Sequence, residues 1–500
     1  MSTNSILNYS LFFLSFFFLI FNLFLRKRRF TDLPPGPPSI PILGNLHQLE
    51  KPLHHHFHRI SQNYGQIFSL WFGSRLVVVN SSPSLAQECF TKNDVVLANR
   101  PPFLTGKHVG YNYTTIVSAP YGDHWRNLRR IMLLDVLSTH RLNYFLDMRR
   151  DEMKRLVQKL AYDSRQGFTK VELRSRFCEL TFNTMMRMIS GKRYWGEDSE
   201  VGDVEEARKF REMIKELMKL GGANNPGEFV PILRWFDLDN LEKKLKSISV
   251  RFDGFLQGLV DEHRSRNTSG NTMINHLLNL QKSQPEYYTD QIIKGLILVM
   301  LLAGTDTSAV TLEWAMSSLL NHPEVLRKAR HEIGMQIGEE HLIDEQDIMK
   351  LPYLQNIVSE TFRLHPTAPL LLPHLSSDEC TIGDYNIPRD TIVLINAWAI
   401  HRDPKLWSDP LSFKPERFQK EGEANKLMQF GLGRRACPGS GLAQRTVSLA
   451  LGLLIQCFEW KRASEEEIDM TEGAGLTLSK VIPLQAMCKA QQRIINKGYF

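Results

Sequence analysis

The chain has 500 residues, of which 42% are hydrophobic and 23% are charged, so it is long enough to bury a large core. Its formal net charge is +7, but four positive charges are Arg26, Lys27, Arg28 and Arg29, and no basic stripe interleaved with aromatic residues follows, which argues against nucleic-acid binding. The 6 cysteines include no Cys-x-x-Cys pair, which argues against a disulfide framework or a structural zinc site and indicates a reducing compartment.

The first segment is predicted to be a membrane anchor. Ile6 to Leu25 is rich in Phe, Leu and Ile and carries no charge. As a helix it would span about 30 Å, the thickness of the hydrocarbon core of a bilayer. The basic cluster that follows should stay cytosolic, so residues 1–29 are interpreted as an anchor with a basic stop. A cleaved signal peptide would need a shorter apolar stretch, basic residues before it and a small-residue cleavage site, and the sequence has none of these.

Residues 30–40 form a proline-rich hinge in this interpretation. The run from Leu33 to Pro38 contains four prolines, which favour extended polyproline geometry and a stiff spacer between membrane and globule. No later stretch resembles an interdomain linker, so residues 41–500 are predicted to form one domain.

A histidine cluster follows the hinge: His54, His55, His56 and His58. Two of these lie one helical turn apart, but no carboxylate or cysteine is close in sequence, which argues against a metal site. A solvated face near the membrane is the interpretation that the sequence favours.

Two stretches are predicted to form small β-units. Gln66 to Asn80 alternates around a Gly73-Ser74 turn, and Thr381 to Asn396 contains turn signals. Helical periodicity dominates the remainder and is clearest in residues 124–160, 202–220, 240–265, 290–321 and 441–458. The fold class is therefore mainly α with minor β.

The longest predicted helix, residues 290–321, would extend about 50 Å. It is apolar on nearly every face from Ile292 to Ala303, so we expect it to cross the interior. Residues 303–308, Ala-Gly-Thr-Asp-Thr-Ser, then place polar groups in the middle of this helix. Hydroxyl groups there can bond to carbonyls of the preceding turn and open the helix locally. Such groups are either satisfied polar residues of the core or a notch that delivers protons.

Residues 430–439, Phe-Gly-Leu-Gly-Arg-Arg-Ala-Cys-Pro-Gly, suit a thiolate ligand at Cys437. Glycines on both sides free the backbone to wrap around the sulfur and to direct N–H groups at it. Residues 442–449 read as a helix, whose N-terminus and amides favour an anionic sulfur. A thiolate with one open face suits the fifth ligand of a haem iron better than zinc, which needs more ligands nearby. The alternative is a buried structural cysteine in a glycine-rich turn.

This loop resembles the haem-binding signature of cytochrome P-450 enzymes, Phe-x-x-Gly-x-Arg-x-Cys-x-Gly, and matches it at every fixed position: Phe430, Gly433, Arg435, Cys437 and Gly439. The resemblance covers the whole chain. It implies the cytochrome P-450 fold, mainly α with minor β, preceded by the N-terminal transmembrane helix. Residues 41–500 would be a haem-thiolate monooxygenase domain that binds haem b (iron protoporphyrin IX), with Cys437 as the iron ligand and Phe430 in the cofactor-binding loop.

The same resemblance implies roles for residues outside the loop. Asp306 and Thr307 are the expected catalytic pair, which delivers protons during oxygen activation. The haem propionates are expected to be held by Trp125, Arg129, His374 and Arg435. A buried ionic triad that supports the cysteine loop is expected from Glu360, Arg363 and Arg417.

A closer resemblance is to the plant isoflavone 2′-hydroxylase group, in the segments Phe72–Arg75, Thr91–Arg100, Tyr111–Thr115, Met188–Tyr194 and Asn396–Pro404. It implies hydroxylation of the B ring of isoflavones such as formononetin and daidzein, first of all at the 2′ carbon. The alternatives are 3′-hydroxylation or oxidation of another plant metabolite, such as a lignan or an indole glucosinolate. The implied pocket is lined by the 100–118 loop, residues near 221–226, Ala303 with its neighbours, and residues 367–372.

Electrons must come from outside, because the chain has no Gly-x-Gly-x-x-Gly fingerprint and no flavin segment. The resemblance therefore implies NADPH as electron source and NADPH–cytochrome P-450 reductase as partner, with cytochrome b5 as a further candidate. It also implies a single-pass protein of the endoplasmic reticulum membrane with a cytosolic catalytic domain. Two other classes stay open: a haem-thiolate isomerase or dehydratase that needs no reductase, and a non-enzymatic haem- or steroid-binding protein.

Overall fold

The structure is a computed structural model that describes residues 31–196, 204–221, 226–230, 233, 240–266, 271–338 and 341–492. Helices dominate these residues, and the strands form three small sheets. The prediction of a mainly α protein with minor β is confirmed. The predicted membrane anchor, residues 1–29, lies outside the described residues.

The α-helices of the described residues, in chain order, are α1 (Leu53–Tyr64), α2 (Pro83–Phe90), α3 (Leu104–His108), α4 (Asp123–Arg130), α5 (Thr139–Tyr144), α6 (Leu146–Asp163), α7 (Leu173–Ser190), α8 (Val204–Gly221), α9 (Leu241–Arg266), α10 (Met273–Ser283), α11 (Asp290–Asn321), α12 (Pro323–Gln336), α13 (Pro352–Leu364), α14 (Ala397–Ile400) and α15 (Ser440–Cys457). A π-helix, Ile131–Val136, continues α4. Short 3-10 helices are Leu46–Gln48, Val96–Ala98, Pro226–Glu228, Glu345–Lys350, Pro415–Gln419 and Glu423–Lys426.

The strands are β1 (Ile67–Phe72), β2 (Arg75–Asn80), β3 (Thr169–Glu172), β4 (His374–Leu375), β5 (Cys380–Ile382), β6 (Tyr385–Ile387), β7 (Ile392–Ile395), β8 (Phe458–Arg462) and β9 (Gln485–Ala490). The largest sheet has the order β1-β2-β7-β4, in which β2 and β7 are parallel and the other pairs antiparallel. The turn between β1 and β2 contains Gly73, whose φ of 56° favours glycine. Both predicted β-units are therefore confirmed: β7 of the second unit joins the first unit in this sheet, whereas β5 and β6 form a separate two-stranded sheet.

The central helix α11 has the predicted bounds, and its N-terminus is capped by the Thr289 hydroxyl, which accepts from the Ile292 amide. Among the described helices it is the one long and apolar enough to cross a membrane, but 67% of its most apolar window is buried inside the protein. Its first half, Ile293 to Leu301, packs in one apolar core and its second half, Ala309 to Leu320, in another. The polar stretch 303–308 therefore lies where the two cores meet.

Residues 124–160 do not form one helical stretch. Helix α4 continues into the π-helix, and the helical structure is then interrupted before α5 begins. The break falls at Ser138, whose side-chain oxygen accepts from the Arg141 amide and so starts a new helix. An N-cap hydroxyl competes with continuation of the preceding helix, which is why apolar periodicity alone missed this boundary.

The proline-rich run contacts the globular domain. The Ser69 amide donates to the Pro35 carbonyl oxygen at 2.8 Å, and the Ser69 hydroxyl donates to the Pro34 oxygen at 2.7 Å. A side chain at Gly36 would overlap the Ser69 backbone, so the run lies directly on β1. From Pro34 onward this segment is therefore part of the domain surface rather than a free spacer.

Candidate functional site

The cysteine loop is shaped by two glycines and one backbone hydrogen bond. Gly431 and Gly433 have φ of 66° and 67°, and a side chain at Gly433 would overlap Asp94. The Cys437 amide donates to the Phe430 carbonyl oxygen at 2.8 Å and closes the loop. Helix α15 begins three residues later, at Ser440. The loop adopts this conformation because glycine occupies the two positions at which other residues would be strained.

Cys437 differs from the other cysteines in its exposure. It is the cysteine that the structure leaves exposed, whereas the other five described cysteines are buried or half-buried. Burial raises the pKa of Cys89 and of Cys178 to about 12, so these thiols stay protonated. The sulfur of Cys437 is thus reachable in a way that suits a ligand rather than a core residue.

Opposing effects act on the pKa of the Cys437 thiol. The surrounding protein raises the pKa of this thiol by desolvation, while the amides of Gly439 and Ser440 and the guanidinium of Arg129 lower it. The predicted amide contributions are present, but desolvation outweighs them. A bound metal ion would favour the thiolate, because thiols that coordinate a metal are deprotonated by it.

Arg129 lies beside the cysteine loop and Arg435 lies within it, and both lack carboxylate partners among the described residues. Arg129 donates to the Ala436 carbonyl oxygen at 2.5 Å. Arg435 donates to the carbonyl oxygens of Ala98, Ile116 and Ala119 at 2.6, 3.1 and 2.6 Å. Desolvation, with Arg100 and Arg129 nearby, lowers the pKa of Arg435 to about 9. Partly buried cations that have only carbonyl partners form a site for an anion.

Trp125 and His374 lie near this cationic group. The Trp125 indole N–H donates to the Ile116 carbonyl oxygen at 3.0 Å, and the guanidinium of Arg435 lies 4.3 Å from the Trp125 ring centroid. His374 is buried, with Nδ1 2.7 Å from the Leu97 carbonyl oxygen, and desolvation holds its pKa well below the usual value. His374 therefore contributes a neutral ring, while the arginines contribute the charge.

Arg100 belongs to the same cationic group, but the sequence did not predict its role there. It donates to the carbonyl oxygens of Leu372 and Pro373 at 2.9 and 2.6 Å, and its buried Nε has no partner among the described residues. Desolvation lowers its pKa to about 10. Three guanidinium groups around one loop, with an unused donor, fit the two propionates of a haem. Nothing in the sequence places Arg100 beside Arg435, because the two are joined only by tertiary packing.

The predicted triad residues meet in the interior. Arg363 Nε and Nη2 lie 2.7 and 2.8 Å from the two carboxylate oxygens of Glu360, and Arg417 Nε lies 3.1 Å from Glu360 Oε1. The side chains of Glu360 and Arg363 are fully buried. Arg363 also donates to the His401 carbonyl oxygen at 2.7 Å, and His401 Nε2 accepts from the Met428 amide at 2.9 Å.

The hydrogen bond from the Met428 amide to His401 links the triad to the cysteine loop. Met428 precedes the loop by two residues, and the Phe430 ring packs against the Phe362 ring of α13 at 5.2 Å between centroids. Phe430 is therefore held by the same helix that carries Glu360 and Arg363. This arrangement gives the triad a structural connection to Cys437, which the sequence motifs alone do not reveal.

The polar stretch of α11 shows the expected back-bonding but no opening of the helix. The Thr307 hydroxyl donates to the Ala303 carbonyl oxygen at 2.6 Å, and helical backbone continues from Asp290 to Asn321. Ala303 is exposed, whereas Leu301 and Thr305 are buried, so α11 borders an open space at this point. Asp306 instead accepts from the Thr477 hydroxyl at 2.7 Å, which directs its carboxylate at the C-terminal loop.

The histidine cluster is not a solvated face, contrary to expectation. His54 and His56 are buried, and Nε2 of His54 and of His55 lie 2.9 and 2.7 Å from one carboxylate oxygen of Glu472. The other Glu472 oxygen accepts from Trp398 at 3.0 Å and from Arg402 at 3.3 Å.

Burial would raise the pKa of Glu472, but the surrounding histidines and Arg402 hold it well below the usual range. These donors satisfy the hydrogen-bonding capacity of the Glu472 carboxylate, so the cluster connects α1 to the C-terminal loop. The sequence does not reveal this cluster, because Glu472 is more than four hundred residues from His54.

Comparison with known proteins identifies the family. The cytochrome P-450 family profile matches residues 34–485. The chain belongs to the cytochrome P-450 family. It is similar to an isoflavone 3′-hydroxylase from Medicago truncatula, with 67% identity over 488 residues that cover 96% of this chain and 97% of that protein.

It is also similar to an isoflavone 2′-hydroxylase from Glycyrrhiza echinata, with 61% identity over 495 residues and 99% of both chains covered. A zebrafish cytochrome P-450 structure with abiraterone has a TM-score of 0.74 at 24% identity and covers 88% of this chain and 100% of that chain, which supports the fold. The protein is thus a cytochrome P-450 monooxygenase, and the family implies a haem-thiolate centre with electrons supplied by a reductase.

Proposed function

We propose that this cytochrome P-450 hydroxylates the B ring of an isoflavone of the formononetin or daidzein type. The observation that carries the proposal is the identity of 67% and 61%, over nearly full lengths, to two enzymes named for this reaction. The sequence segments favoured the 2′ carbon, whereas the relative with the higher identity of these two is named for the 3′ carbon. We therefore place 3′-hydroxylation first and keep 2′-hydroxylation as the alternative.

The proposed roles of the residues follow from their positions. Cys437 would hold the haem iron, and the bound haem would supply reductive activation of O2. Arg100, Arg129 and Arg435 would bind its propionates, because they are guanidinium groups without carboxylate partners among the described residues. Glu360, with Arg363 and Arg417, would hold the cysteine loop in place through α13.

The proton route is proposed to end at Thr307. Its hydroxyl is held by the carbonyl oxygen of the exposed Ala303, where α11 borders an open space. Asp306 is bonded to Thr477, so it would relay a proton only after its carboxylate leaves that hydroxyl. In this proposal Thr307 positions the proton, and Asp306 exchanges it with solvent.

Replacement of Thr307 by Ala tests this route. We expect haem binding to be unchanged and product per NADPH to fall by about tenfold or more, since a positioned proton donor typically contributes about 10²–10⁴ in rate. The measurement is the ratio of hydroxylated product and hydrogen peroxide to NADPH consumed. Thr307→Ser is the matched control, because it keeps the hydroxyl and should retain most of the coupling. Equal coupling in wild type and Thr307→Ala would remove Thr307 from the route.

The partners and location belong to the proposal as well. We place the protein on the cytosolic face of the endoplasmic reticulum membrane, with residues 1–29 as anchor and NADPH–cytochrome P-450 reductase as electron donor, with cytochrome b5 as a possible second donor. The apolar run before the basic cluster supports the anchor.

Turnover of formononetin and daidzein by membranes that contain the full chain and the reductase tests the proposed function. The expected result is a B-ring hydroxylated product that requires NADPH, with the 3′ isomer in excess over the 2′ isomer. A 2′ product alone would overturn the order of positions. No product from either isoflavone, in a preparation with a thiolate-type haem spectrum, would overturn the substrate class.

A further inference from the structure

The loop between α3 and α4 contains a rare backbone feature. Tyr111, Asn112 and Tyr113 have φ of 49°, 52° and 63°, so three consecutive residues other than glycine adopt the left-handed conformation. A residue with a Cβ is strained in this conformation relative to the right-handed one. Strain of this kind persists where neighbouring groups fix it, and it concentrates at functional sites. Residues 111–113 thus form a left-handed turn, which neighbouring groups hold in place.

Asp253 of α9, paired with Lys294 of α11, holds the turn at Tyr111. The Tyr111 hydroxyl donates to Asp253 Oδ1 of α9 at 2.9 Å, and Lys294 Nζ of α11 lies 2.6 Å from the same oxygen. Lys294 is nearly buried, with 10% of its side chain exposed, whereas 43% of the Asp253 side chain is exposed. One carboxylate therefore joins the loop, α9 and α11.

The loop also rests directly on the central helix. A side chain at Gly295 would approach Thr115 Cγ2 at 3.4 Å and the Tyr111 ring at 3.7 Å, so glycine permits close contact there. Gln291, one helical turn earlier, donates to the Thr114 hydroxyl at 3.2 Å. Gly295 precedes the exposed Ala303 by about 12 Å along the helix axis.

The far end of the same loop is bonded to the proposed haem-binding group. Ile116 and Ala119 supply two of the carbonyl oxygens that accept from Arg435. The segment is thus fixed at two points, by Asp253 before residue 115 and by Arg435 after it. A change at either point would move the residues between them.

We propose that Asp253 is a positioning residue for the oxidation: it holds the left-handed turn against α11 and so sets where the substrate lies relative to the haem. Asp253 itself lies outside the reacting atoms and acts through Tyr111 and Lys294. The inference rests on the monooxygenase activity of the family and deepens the proposed function by naming a determinant of ring position. A shift of about 1 Å in substrate placement is enough to change the outcome of such a reaction.

The test compares Asp253→Ala with Asp261→Ala. Asp261 is on the same helix and is more exposed, and it pairs with Arg264. We expect Asp253→Ala to keep the reduced carbon monoxide spectrum, to raise KM for formononetin about tenfold, and to change the ratio of 3′ to 2′ product. We also expect faster amide hydrogen exchange in residues 104–118. Asp261→Ala should match wild type in all four measurements.

Two further variants keep the inference testable if Asp253→Ala fails to fold. Tyr111→Phe removes only the hydroxyl and should reproduce part of the change in product ratio. Asp253→Asn leaves Lys294 without its charge partner, and adding Lys294→Met should restore part of the wild-type exchange rate. Unchanged exchange and unchanged product ratio in these variants would overturn the positioning role.

The measurements separate the two proposals. If wild type does not oxidise formononetin, the substrate assignment fails, while hydrogen exchange and the binding spectrum of 4-phenylimidazole still report on the loop. Exchange and azole affinity equal to those of wild type in every Asp253 variant would then reject the role of Asp253.

Discussion

Replacement of Cys437 by Ser is expected to abolish the thiolate-type haem spectrum and NADPH-dependent turnover. The hydroxyl is a much weaker electron donor than a thiolate, and its oxygen is held by the same loop, so the fold should survive while the ligand is lost. The loss should exceed the about 10–100-fold that removal of an outer-shell partner of a metal ligand causes. The measurements are the absorbance of the ferric protein after haem addition and product formation in the reconstituted system.

Cys178→Ser is the matched control for this variant. Cys178 is half-buried on α7, and desolvation raises the pKa of its thiol to about 12, so we expect it to take no part in metal binding. Its replacement should leave the haem spectrum and turnover close to wild type. A Cys437→Ser protein that kept the thiolate-type spectrum would mean that another cysteine holds the iron.

Glu360→Gln is expected to destabilise the protein more than any surface substitution. It removes the one carboxylate that Arg363 and Arg417 share, in a region where Glu360 and Arg363 are fully buried. Loss of one partner from a buried ion pair costs about 3–5 kcal/mol, because the remaining charge is left uncompensated. We expect a lower free energy of unfolding and a lower haem-to-protein ratio, measured on protein expressed and purified in parallel with wild type.

Glu212→Gln provides the comparison for a surface ion pair. Glu212 pairs with Arg208 on α8, and the two side chains are 60% and 51% exposed. Its replacement should change the free energy of unfolding by about 0.5 kcal/mol or less. Equal effects of the two substitutions on the free energy of unfolding would show that burial of the triad does not contribute to the stability of the protein.

The sequence predicted the elements whose signal is local. The bounds of α11 followed from its long run of apolar, helix-forming residues, and both β-units followed from turn signals that include glycines. The boundary at Ser138 was missed because a capping hydroxyl, rather than a change in periodicity, ends the helix. The proline run was read as a spacer because the sequence does not show its contact with Ser69.

The site shows the same division between local and long-range signals. The cysteine loop is local, and its glycines and its ligand are visible within ten residues. Arg100 and Glu472 were missed, because each meets its partners only after the chain has folded. Their roles depend on the charges around them: Arg100 lies among other cations and Glu472 among donors, and neither environment can be read from sequence neighbours.

The carbon monoxide difference spectrum of the reduced wild-type protein shows whether Cys437 binds the haem iron as a thiolate. We expect the thiolate-type band of a cytochrome P-450 in protein purified after expression with haem. A histidine-type band in folded protein, or no haem bound when haem is supplied, would contradict it.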